Sequence, residues 1–387
     1  MILYVGCDNM KQLIHKMDKP LLYVSIILFA FGIIMVLSAS NMEAFVRYNT
    51  SPYHYFFRQL FFIMAGIVAF RIIINIPTSK YKFFINTLMI IIIVILVLLF
   101  SYGSVRNSSG SWLGILGFGI QPSEFAKILL IMYLGTYYET NKDKLSDSFT
   151  ALKPLLFAIT LFVLVLLQPD MGTAVIICLI TIFMFSLVRV DNKIKKVIRS
   201  MIIGGLALMI LIITTSGKNI LSDEQRERLN FLEPCSRYET GGYQVCNGYI
   251  AINHGGLFGV GLGNSTQKYL YLPEAHTDFI FAIIMEETGL ISAIVIIALY
   301  LFILSRIIRI ANKSHTIRGK LMAYGIGFYI FIHIFINLSG LFGIAPYTGV
   351  PLPFMSYGGS FALSLIIAIA IVERIEIENN NHLIKGR

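Results

Sequence analysis

Apolar residues along this chain gather in long runs, and short polar segments separate one run from the next. A helix needs roughly 20 apolar residues to cross the hydrocarbon core of a bilayer. Runs of about this length lie at 21–40, 57–76, 83–102, 120–137, 152–168, 171–189, 198–216, 279–304, 321–344 and 358–373. The pattern predicts an all-α polytopic membrane protein with ten transmembrane helices. Residues 21–373 form a single membrane domain, with a short segment (1–20) before it and a tail (374–387) after it.

The composition supports a membrane protein. Of the 387 residues, 56% are hydrophobic and only 13% are charged, whereas charged residues make up about 25% of a typical soluble domain. The opening residues are followed by charge instead of a cleavage site, so a removable signal peptide is not expected.

The distribution of Lys and Arg predicts the orientation, because short loops rich in these residues stay on the cytoplasmic side. They are concentrated at 11–19, 71–82, 142–153, 189–199, 306–320 and 374–387. Both termini are therefore predicted to be cytoplasmic, and the large loop at 217–278, between the seventh and eighth helices, to be extracellular. This loop and the segment 345–360 have room for short re-entrant pieces. The net charge of +10 is explained by this bias and by the attraction of basic residues to anionic lipid. Nucleic acid is therefore not an expected partner.

Ionisable side chains within the predicted spans are candidates for function, because they are costly at membrane depth. Glu124 and Lys127 are three residues apart and share one helical face. They form either a structural ion pair or the lining of a polar cavity near the outer leaflet. Glu286 and Glu287 lie two turns into the eighth span, and at least one of them must find a hydrogen-bond donor or stay protonated. Asp170 precedes the sixth span, where an N-cap is the favoured interpretation.

The extracellular loop contains two further signals. Arg226 and Arg228 lie in a segment of helical composition, where they suit either phosphate contact or a solvated helix face. The glycine-rich run at 255–263 suits either an anion-binding backbone nest or a flexible link.

The last polar residues of this loop place a carboxylate, Asp278, where a hydrophobic helix begins. This position makes Asp278 the first candidate for chemistry. Lys268 and Glu274 are expected to set the electrostatic field around it, and His276 is either a participant or a packed loop residue.

The four cysteines fall into different environments. Cys7 is predicted to be cytoplasmic and Cys178 to lie within a span. Cys235 and Cys246 are both predicted to be extracellular, where an oxidising environment favours a disulfide between them. The chain has no Cys–His pattern with zinc-site spacing.

Four blocks give the chain a family resemblance over nearly its whole length. They are QPSEFAK at 121–127, QPDMGT at 168–173, QKYLYLPEAHTDFIF at 267–281 and PLPFMSYGGS at 351–360. In this order, the blocks resemble the signatures of the SEDS family, the bacterial shape, elongation, division and sporulation proteins. The third block is more similar to the FtsW and SpoVE branch, and 349–354 is nearer the RodA branch; the FtsW side is preferred.

The resemblance implies a multi-pass protein of the bacterial cytoplasmic membrane with peptidoglycan glycosyltransferase activity. It implies polymerisation of lipid II at the outer face during division or elongation, in company with a class B penicillin-binding transpeptidase. Asp278 is the implied catalytic carboxylate, as a base or as the ligand of a divalent cation such as Mg²⁺ or Mn²⁺. Lys127, Arg226 and Arg228 are the expected pyrophosphate contacts, and Glu124 is expected to fix Lys127. Lys268, Glu274, His276 and Ser356 complete the expected substrate site.

Two other function classes stay open. A lipid II flippase would use Glu124, Lys127 and Glu286 along a charged pathway. No inverted repeat or paired broken helix is evident in the sequence, although many transporters have them. The third class is a non-catalytic scaffold that docks the transpeptidase.

Overall fold

The fold is a bundle of long apolar helices joined by short loops. The computed structural model describes residues 12–102, 104–106, 109–115, 118–190, 196, 200, 233–269 and 271–385. Its helices are α1 (Lys19–Tyr48), α2 (His54–Ile73), α3 (Ile85–Tyr102), α4 (Pro122–Thr140), α5 (Ser148–Leu152), α6 (Leu155–Leu167), α7 (Met171–Leu187), α8 (Tyr243–Gly255), α9 (Ile280–Lys313), α10 (Ile317–Leu341) and α11 (Gly359–Lys385).

The helices coincide with the predicted spans wherever those spans fall on described residues. The predicted seventh span, 198–216, lies outside them. Helical stretches long and apolar enough to cross a membrane are Lys19–Val46, His54–Ile73, Ser148–Leu167, Ile280–Lys313 and Ile317–Leu341, and shorter apolar helices lie at Ile85–Ser101 and Met171–Leu187. A mostly helical architecture with several membrane-length helices is thus confirmed, whereas the total of ten and the orientation stay predictions.

Many side chains on the outside of the bundle are large and apolar. Phe57 of α2 is 62% exposed, and Leu301 of α9 is exposed to the same degree. Such residues would be anomalous on a protein in water, but they suit contact with lipid tails. The outer surface is therefore that of a membrane protein.

Three short strands lie between α3 and α4, and the all-α prediction did not include them. They are β1 (Ser104–Arg106), β2 (Ser109–Ile115) and β3 (Phe118–Ile120), paired antiparallel in the order β1-β2-β3. Leu113 pairs with Ile120, and Gly114 pairs with Gly119. Glycine is a poor helix former, so a helix is disfavoured in this segment. Pairing between strands provides hydrogen bonds for its backbone N–H and C=O groups instead.

Close helix packing depends on small residues. A Cβ on Gly359, at the start of α11, would lie 2.1 Å from the ring of Phe62 on α2. A Cβ on Gly66 of α2 would lie 2.5 Å from the side chain of Ile366 on α11. Small residues allow membrane helices to approach closely and so gain packing energy. They bring α2 directly against α11.

Helix α9 is broken near its N-terminal end, at Gly289. The backbone of Gly289 has φ 79° and ψ 177°, which is not helical. The loop after α8 docks into this break: the N–H groups of Val260 and Gly261 donate to the carbonyls of Glu286 and Glu287, over 2.9 and 3.0 Å. In return, the N–H of Leu290 donates to the carbonyl of Gly256 over 3.0 Å. The hydrophobic pattern does not indicate the break, because the apolar run continues through it.

Charged side chains join the helices at the predicted cytoplasmic end. Asp18 caps α1 by accepting from the N–H of Leu21 at 3.0 Å, and its carboxylate also accepts from the guanidinium of Arg306 on α9. Thr78 donates to Glu378 of α11 through both its N–H and its hydroxyl group. These contacts tie α1 to α9, and the segment between α2 and α3 to α11, at the end of the bundle where the basic loops were predicted.

Candidate active site

A cavity of ≈ 100 Å³ opens beside the start of α9, and Asp278 lies in its wall. Residues from six parts of the chain meet there: the start of α2, the strands, the N-cap of α4, the loop before α9, the turn at 349–351 and the residues around the start of α11. The lining consists of Arg58, Phe62, Trp112, Gly119, Gln121, Glu274, Thr277, Asp278, Gly349, Pro351, Tyr357, Gly358, Gly359, Ser360 and Phe361. Of the sequence-predicted site residues, the structure brings Asp278 and Glu274 into this cavity.

Asp278 is held by hydrogen bonds through both its backbone and its side chain. Its carbonyl oxygen accepts from Nδ2 of Asn337 on α10 over 2.8 Å. Its carboxylate oxygen Oδ2 accepts from the hydroxyl of Tyr347 over 2.7 Å. The residue lies two positions before α9 begins, where the positive end of the helix dipole stabilises a negative charge. A half-buried carboxylate at this place is therefore supported as an anion.

Glu274 lies in the turn that leads to Asp278. Its backbone has φ 54°, and its carbonyl accepts from the N–H groups of Thr277 and Phe279. The Thr277 hydroxyl donates to Glu274 Oε2 over 2.8 Å. The turn places two carboxylates, from Glu274 and Asp278, in one cavity.

Ser356 supports this turn through hydrogen bonds of its hydroxyl group. Its hydroxyl donates to the carbonyl of Thr277 over 2.6 Å and accepts from the N–H of Leu352 over 2.7 Å. The side chain is buried and is not part of the cavity lining. The structure therefore gives Ser356 a supporting contact, and its predicted contact with substrate stays a prediction.

Arg58 is the cavity residue that sequence reasoning missed. It lies in the second turn of α2 and lines the cavity that holds Asp278 and Glu274. A usable signal was present, because Arg58 falls within the predicted span 57–76 and an ionisable residue there calls for a functional explanation.

Lys127 and Glu124 form a buried ion pair outside the cavity lining. Lys127 Nζ lies 2.9 Å from Glu124 Oε1 and 3.0 Å from His333 Nε2 on α10. The ammonium group also lies 5.6 Å from the centre of the Tyr329 ring. The expectation that Glu124 fixes Lys127 agrees with this geometry, and the pair joins α4 to α10. A direct contact between Lys127 and pyrophosphate stays a prediction.

Lys268 was expected to set the electrostatic field around Asp278, but in the structure it is bonded to Glu287. Its Nζ donates to Glu287 Oε1 over 2.8 Å, to the carbonyl of Gly263 over 2.6 Å and to the Ser38 hydroxyl over 3.1 Å. The Lys268 side chain is buried in these contacts and does not line the cavity around Asp278. The positive charge of Lys268 is thus paired with the carboxylate of Glu287.

His276 is packed among side chains beside the cavity. Its Nδ1 lies 3.0 Å from Glu43 Oε2, and its ring lies 4.5 Å from that of Tyr55 and 5.5 Å from that of Tyr357. Its carbonyl accepts from the N–H of Tyr357 over 2.9 Å. Since Tyr357 lines the cavity, His276 supports the cavity wall without being part of the lining. The predicted contact between His276 and substrate stays a prediction.

Glu286 and Glu287 both find donors, as the sequence required of at least one. Glu286 accepts from Nδ1 of His254 over 2.9 Å, from the hydroxyl of Ser265, and from the N–H and hydroxyl groups of Thr266 at 3.0 Å. Glu287 accepts from the Ser38 hydroxyl and from Lys268. These contacts bind the loop at 254–268 to α9. The glycine-rich run is therefore neither a free link nor an open nest, because N–H groups at its centre already bond to α9.

Three other predictions concern the outer side. Arg226 and Arg228 lie outside the described residues. Cys235 and Cys246 are joined by a disulfide in the structure. Asp170 caps α7 as favoured, because its Oδ1 accepts from the N–H of Thr173 at 3.1 Å, while its Oδ2 accepts from Gln121 of the cavity wall at 2.7 Å.

The cavity residues suit a divalent cation of the kind that binds phosphate. Mg²⁺ is usually held by one or two carboxylates together with substrate phosphates, not by a complete protein cage. Glu274 and Asp278 supply two carboxylates. Within the described residues, no group of three or more His, Cys, Asp or Glu is placed to hold a metal by itself. The donor set therefore fits an ion that binds together with a phosphorylated ligand.

Comparison with known protein families adds an independent line of information. Residues 19–381 match the family model described as "Cell cycle protein", which covers FtsW, RodA and SpoVE. The chain belongs to the FtsW/RodA/SpoVE family. The resemblance to the SEDS proteins is thereby confirmed over almost the whole sequence.

Two relatives of this family from Bacillus subtilis illustrate the similarity. The chain is 36% identical over 374 residues to a protein named "Probable peptidoglycan glycosyltransferase FtsW", with 95% of this chain and 92% of the relative covered. It is 34% identical over 365 residues to "Stage V sporulation protein E", with 92% and 95% covered. These names agree with the preference for the FtsW and SpoVE branch.

Solved structures of the family show the same fold. A chain from "Structural coordination of polymerization and crosslinking by a peptidoglycan synthase complex" has a TM-score of 0.73 at 21% identity, covering 94% of this chain and 98% of that one. RodA of Thermus thermophilus has a TM-score of 0.66 at 20% identity, covering 93% and 96%. The FtsW/RodA/SpoVE fold thus extends over nearly the whole of each chain.

Proposed function

We propose that this chain polymerises lipid II into glycan strands at the outer face of the bacterial cytoplasmic membrane, during division or elongation. The names of its relatives confirm the prediction that it is a peptidoglycan glycosyltransferase. The finer features, which are the substrate, the membrane face and the residues that act, belong to the proposal. The observation that carries them is the presence of Asp278, Glu274 and Arg58 in one cavity.

The reaction joins two lipid-linked sugars. The 4-hydroxyl oxygen of the acceptor sugar bonds to the anomeric carbon of the donor. The bond from that carbon to the pyrophosphate oxygen breaks, so undecaprenyl pyrophosphate leaves and the configuration inverts. Asp278 takes the hydroxyl proton. General-base assistance of this kind contributes about 10²–10⁴-fold to a rate.

The leaving group needs its growing negative charge neutralised. Arg58 lines the same cavity as Asp278, and Arg binds phosphate oxygens in a bidentate manner. Arg58 therefore joins Lys127, Arg226 and Arg228 as a proposed pyrophosphate contact. When a divalent cation is bound by Asp278 and Glu274, it would add further charge neutralisation at the pyrophosphate.

The size of the cavity limits what it can enclose. Pockets that bury a drug-sized ligand have volumes of about 300–1,000 Å³, whereas this one measures ≈ 100 Å³. It can receive the reacting groups but not two lipid-linked disaccharides. The polyprenyl tails therefore lie along the apolar outer surface of the helices, where the membrane delivers both substrates.

The proposal includes ten spans with both termini in the cytoplasm. It places the loop at 217–278 outside, so that Asp278 faces the compartment in which glycan strands are made. A class B penicillin-binding transpeptidase is the proposed partner, supported by the similar fold of a chain from a peptidoglycan synthase complex. Polymerisation and crosslinking would then take place side by side.

A second candidate function is a lipid II flippase, and one observation favours it. The break of α9 at Gly289 is a feature that transporters use at their substrate sites. The break is filled by the docked loop at 256–261, whose backbone bonds to both sides of it. A flippase would also not need the Asp278 carboxylate in the cavity beside the start of α9.

The test compares purified wild type with Asp278→Ala, each bound to its cognate transpeptidase and incubated with lipid II and Mg²⁺. The length of the glycan product is measured on a gel. We expect polymer from the wild type alone. Polymer from both proteins would move the catalytic group elsewhere, and polymer from neither, with complexes confirmed, would favour the flippase or the scaffold.

A further inference from the structure

The hydroxyl of Tyr347 lies 2.7 Å from Oδ2 of Asp278 and donates a hydrogen bond to it. We propose that Tyr347 is a positioning residue, whose hydroxyl holds the Asp278 carboxylate in the orientation that receives the acceptor's proton. The proposal rests on the function proposed above, in which Asp278 is the base. It adds a residue that lies outside the four signature blocks, 69 positions along the chain from Asp278.

The ring of Tyr347 is fixed on two sides. It packs against the ring of Phe279 with centroids 4.8 Å apart. On the other side, a Cβ on Gly340 of α10 would lie 3.3 Å from the Tyr347 Cα and 3.7 Å from its ring. Because a packed ring loses little further freedom when its hydroxyl bonds, the contact with Asp278 is pre-organised.

The turn that carries Tyr347 also passes close to the carboxylate. Gly349 has φ 68°, and a Cβ there would lie 3.3 Å from Asp278 Oδ2. A side chain at 349 would strain the backbone and crowd the carboxylate. Glycine at this position therefore lets the turn approach Asp278 closely enough for the tyrosine to reach it.

Asn337 provides a second, separate attachment. Its Nδ2 donates to the carbonyl of Asp278 and to the carbonyl of Val350, each over 2.8 Å. Asn337 thus ties the backbone of the Asp278 loop to the backbone of the 347–351 turn. With the main chain secured by Asn337, the Tyr347 hydroxyl has the separate task of orienting the side chain.

The hydrogen bond also has an electrostatic effect. A donor to a carboxylate favours its ionised form, which a base must have before it can accept a proton. The other charged or titratable groups in the cavity wall are Arg58 on α2, Glu274 in the preceding turn and Tyr357 before α11. Tyr347 donates to the Asp278 carboxylate from outside the cavity lining.

The first test is Tyr347→Phe, which keeps the ring and removes the hydroxyl. Full-length protein with its cognate transpeptidase is assayed for kcat and for KM toward lipid II. Since a hydrogen bond to a charged group is lost, we expect kcat to fall roughly 10- to 100-fold, with KM within about twofold and an unchanged Tm. Wild-type kcat in this variant, or a raised KM with unchanged kcat, would overturn the proposal.

The matched control is Tyr324→Phe on α10. This change also removes a tyrosine hydroxyl that makes a hydrogen bond, here to Asn312 over 2.5 Å. Tyr324 is 13 positions from Asn337, which is about 20 Å along a helix. We expect its kcat to equal that of the wild type. An equal loss in both variants would mean that removing a tyrosine hydroxyl has a general effect on the protein, and would also overturn the proposal.

A second pair of variants applies if Tyr347→Phe lowers Tm. Tyr347→Gln keeps a hydrogen-bond donor, while Tyr347→Leu, of similar size, has none. We expect kcat of the Gln variant to exceed that of the Leu variant at equal Tm. Equal or reversed values would contradict a role for the donor.

A double variant distinguishes this inference from the proposed function itself. Because Tyr347 acts through the carboxylate, Tyr347→Phe should cause no further loss in an Asp278→Asn background. Absence of polymer from wild type would reject the proposed function. Polymer from wild type, none from Asp278→Asn and normal polymer from Tyr347→Phe would reject only the role of Tyr347.

Discussion

Two pairs of acidic side chains lie on either side of the start of α9, and their surroundings are opposite. Glu274 and Asp278 line an open cavity. Glu286 and Glu287 begin eight residues later, about 12 Å along a helix, and both are almost completely buried. Identical chemical groups therefore occupy a reactive position and a structural one on the same stretch of chain.

The difference lies in what each carboxylate bonds to. Glu286 and Glu287 accept from a histidine, a lysine, hydroxyl groups and backbone N–H groups that all belong to the protein. A buried charge needs such partners, because its desolvation is otherwise too costly. Asp278 has a hydrogen-bond donor and also faces a space that a ligand can enter. Exposure to a cavity, more than the presence of a carboxylate, therefore distinguishes the catalytic candidate Asp278 from the structural residues Glu286 and Glu287.

The largest expected effect comes from replacing the cavity carboxylate. Asp278→Asn keeps the shape and a hydrogen-bond acceptor but removes the base, so we expect glycan synthesis to fall about 10²–10⁴-fold. Tm should stay at the wild-type value, because Asp278 is only half-buried. Polymerisation assays and thermal unfolding in detergent check both parts. A large loss of Tm would show that the carboxylate is an anchor like Glu287.

The reverse result is expected for the anchoring pair. Glu287→Gln leaves the buried ammonium of Lys268 without its charge partner, which typically costs about 3–5 kcal/mol in the free energy of unfolding. Denaturant titration in micelles measures this loss. In the double variant with Lys268→Met we expect much of the stability to return, since no buried charge is left unpaired. A single variant as stable as the wild type would contradict the assignment.

Arg58 tests whether the cavity neutralises a leaving group. Loss of one charge-stabilising donor at an active site costs about 10²–10³-fold in rate, and we expect Arg58→Ala to show a loss near the lower limit. Arg58→Lys should recover part of it, because the positive charge is kept and the bidentate geometry is lost. Single-turnover polymerisation with lipid II measures the effect. Full activity of Arg58→Ala would place pyrophosphate elsewhere.

The smallest effects concern two glycines with positive φ, one at the break in α9 and one just after the docked loop. Gly289→Ala is strained by its positive φ, and its Cβ would lie 2.4 Å from the carbonyl of Leu257. Gly263→Ala has the same strain at φ 83°, but its Cβ would meet no atom within 4 Å. We expect Gly263→Ala to cost about 1–2 kcal/mol and Gly289→Ala to cost more, as measured by denaturant titration. Equal losses would mean that docking into the break does not depend on close approach.

The helices and the family could be predicted from the sequence alone. Long apolar runs predicted the described helices, because the bilayer requires about 20 apolar residues for each crossing. The four blocks identified the family, and Asp278 was recognisable as a carboxylate at the start of a helix. The strands at 104–120 and the break at Gly289 were missed, because both depend on backbone pairing that hydrophobicity does not indicate.

The contacts between polar groups became known only from the packing of the helices. Arg58 and Asp278 are 220 positions apart and share a cavity, while Lys268 is bonded to Glu287 instead of facing Asp278. Lys127 is buried between α4 and α10, and Tyr347 reaches the candidate catalytic carboxylate from a turn after α10. The physical reason is that hydrophobic pattern specifies which face of each helix is buried. The choice of partner for a charged side chain depends on how helices distant in sequence pack together.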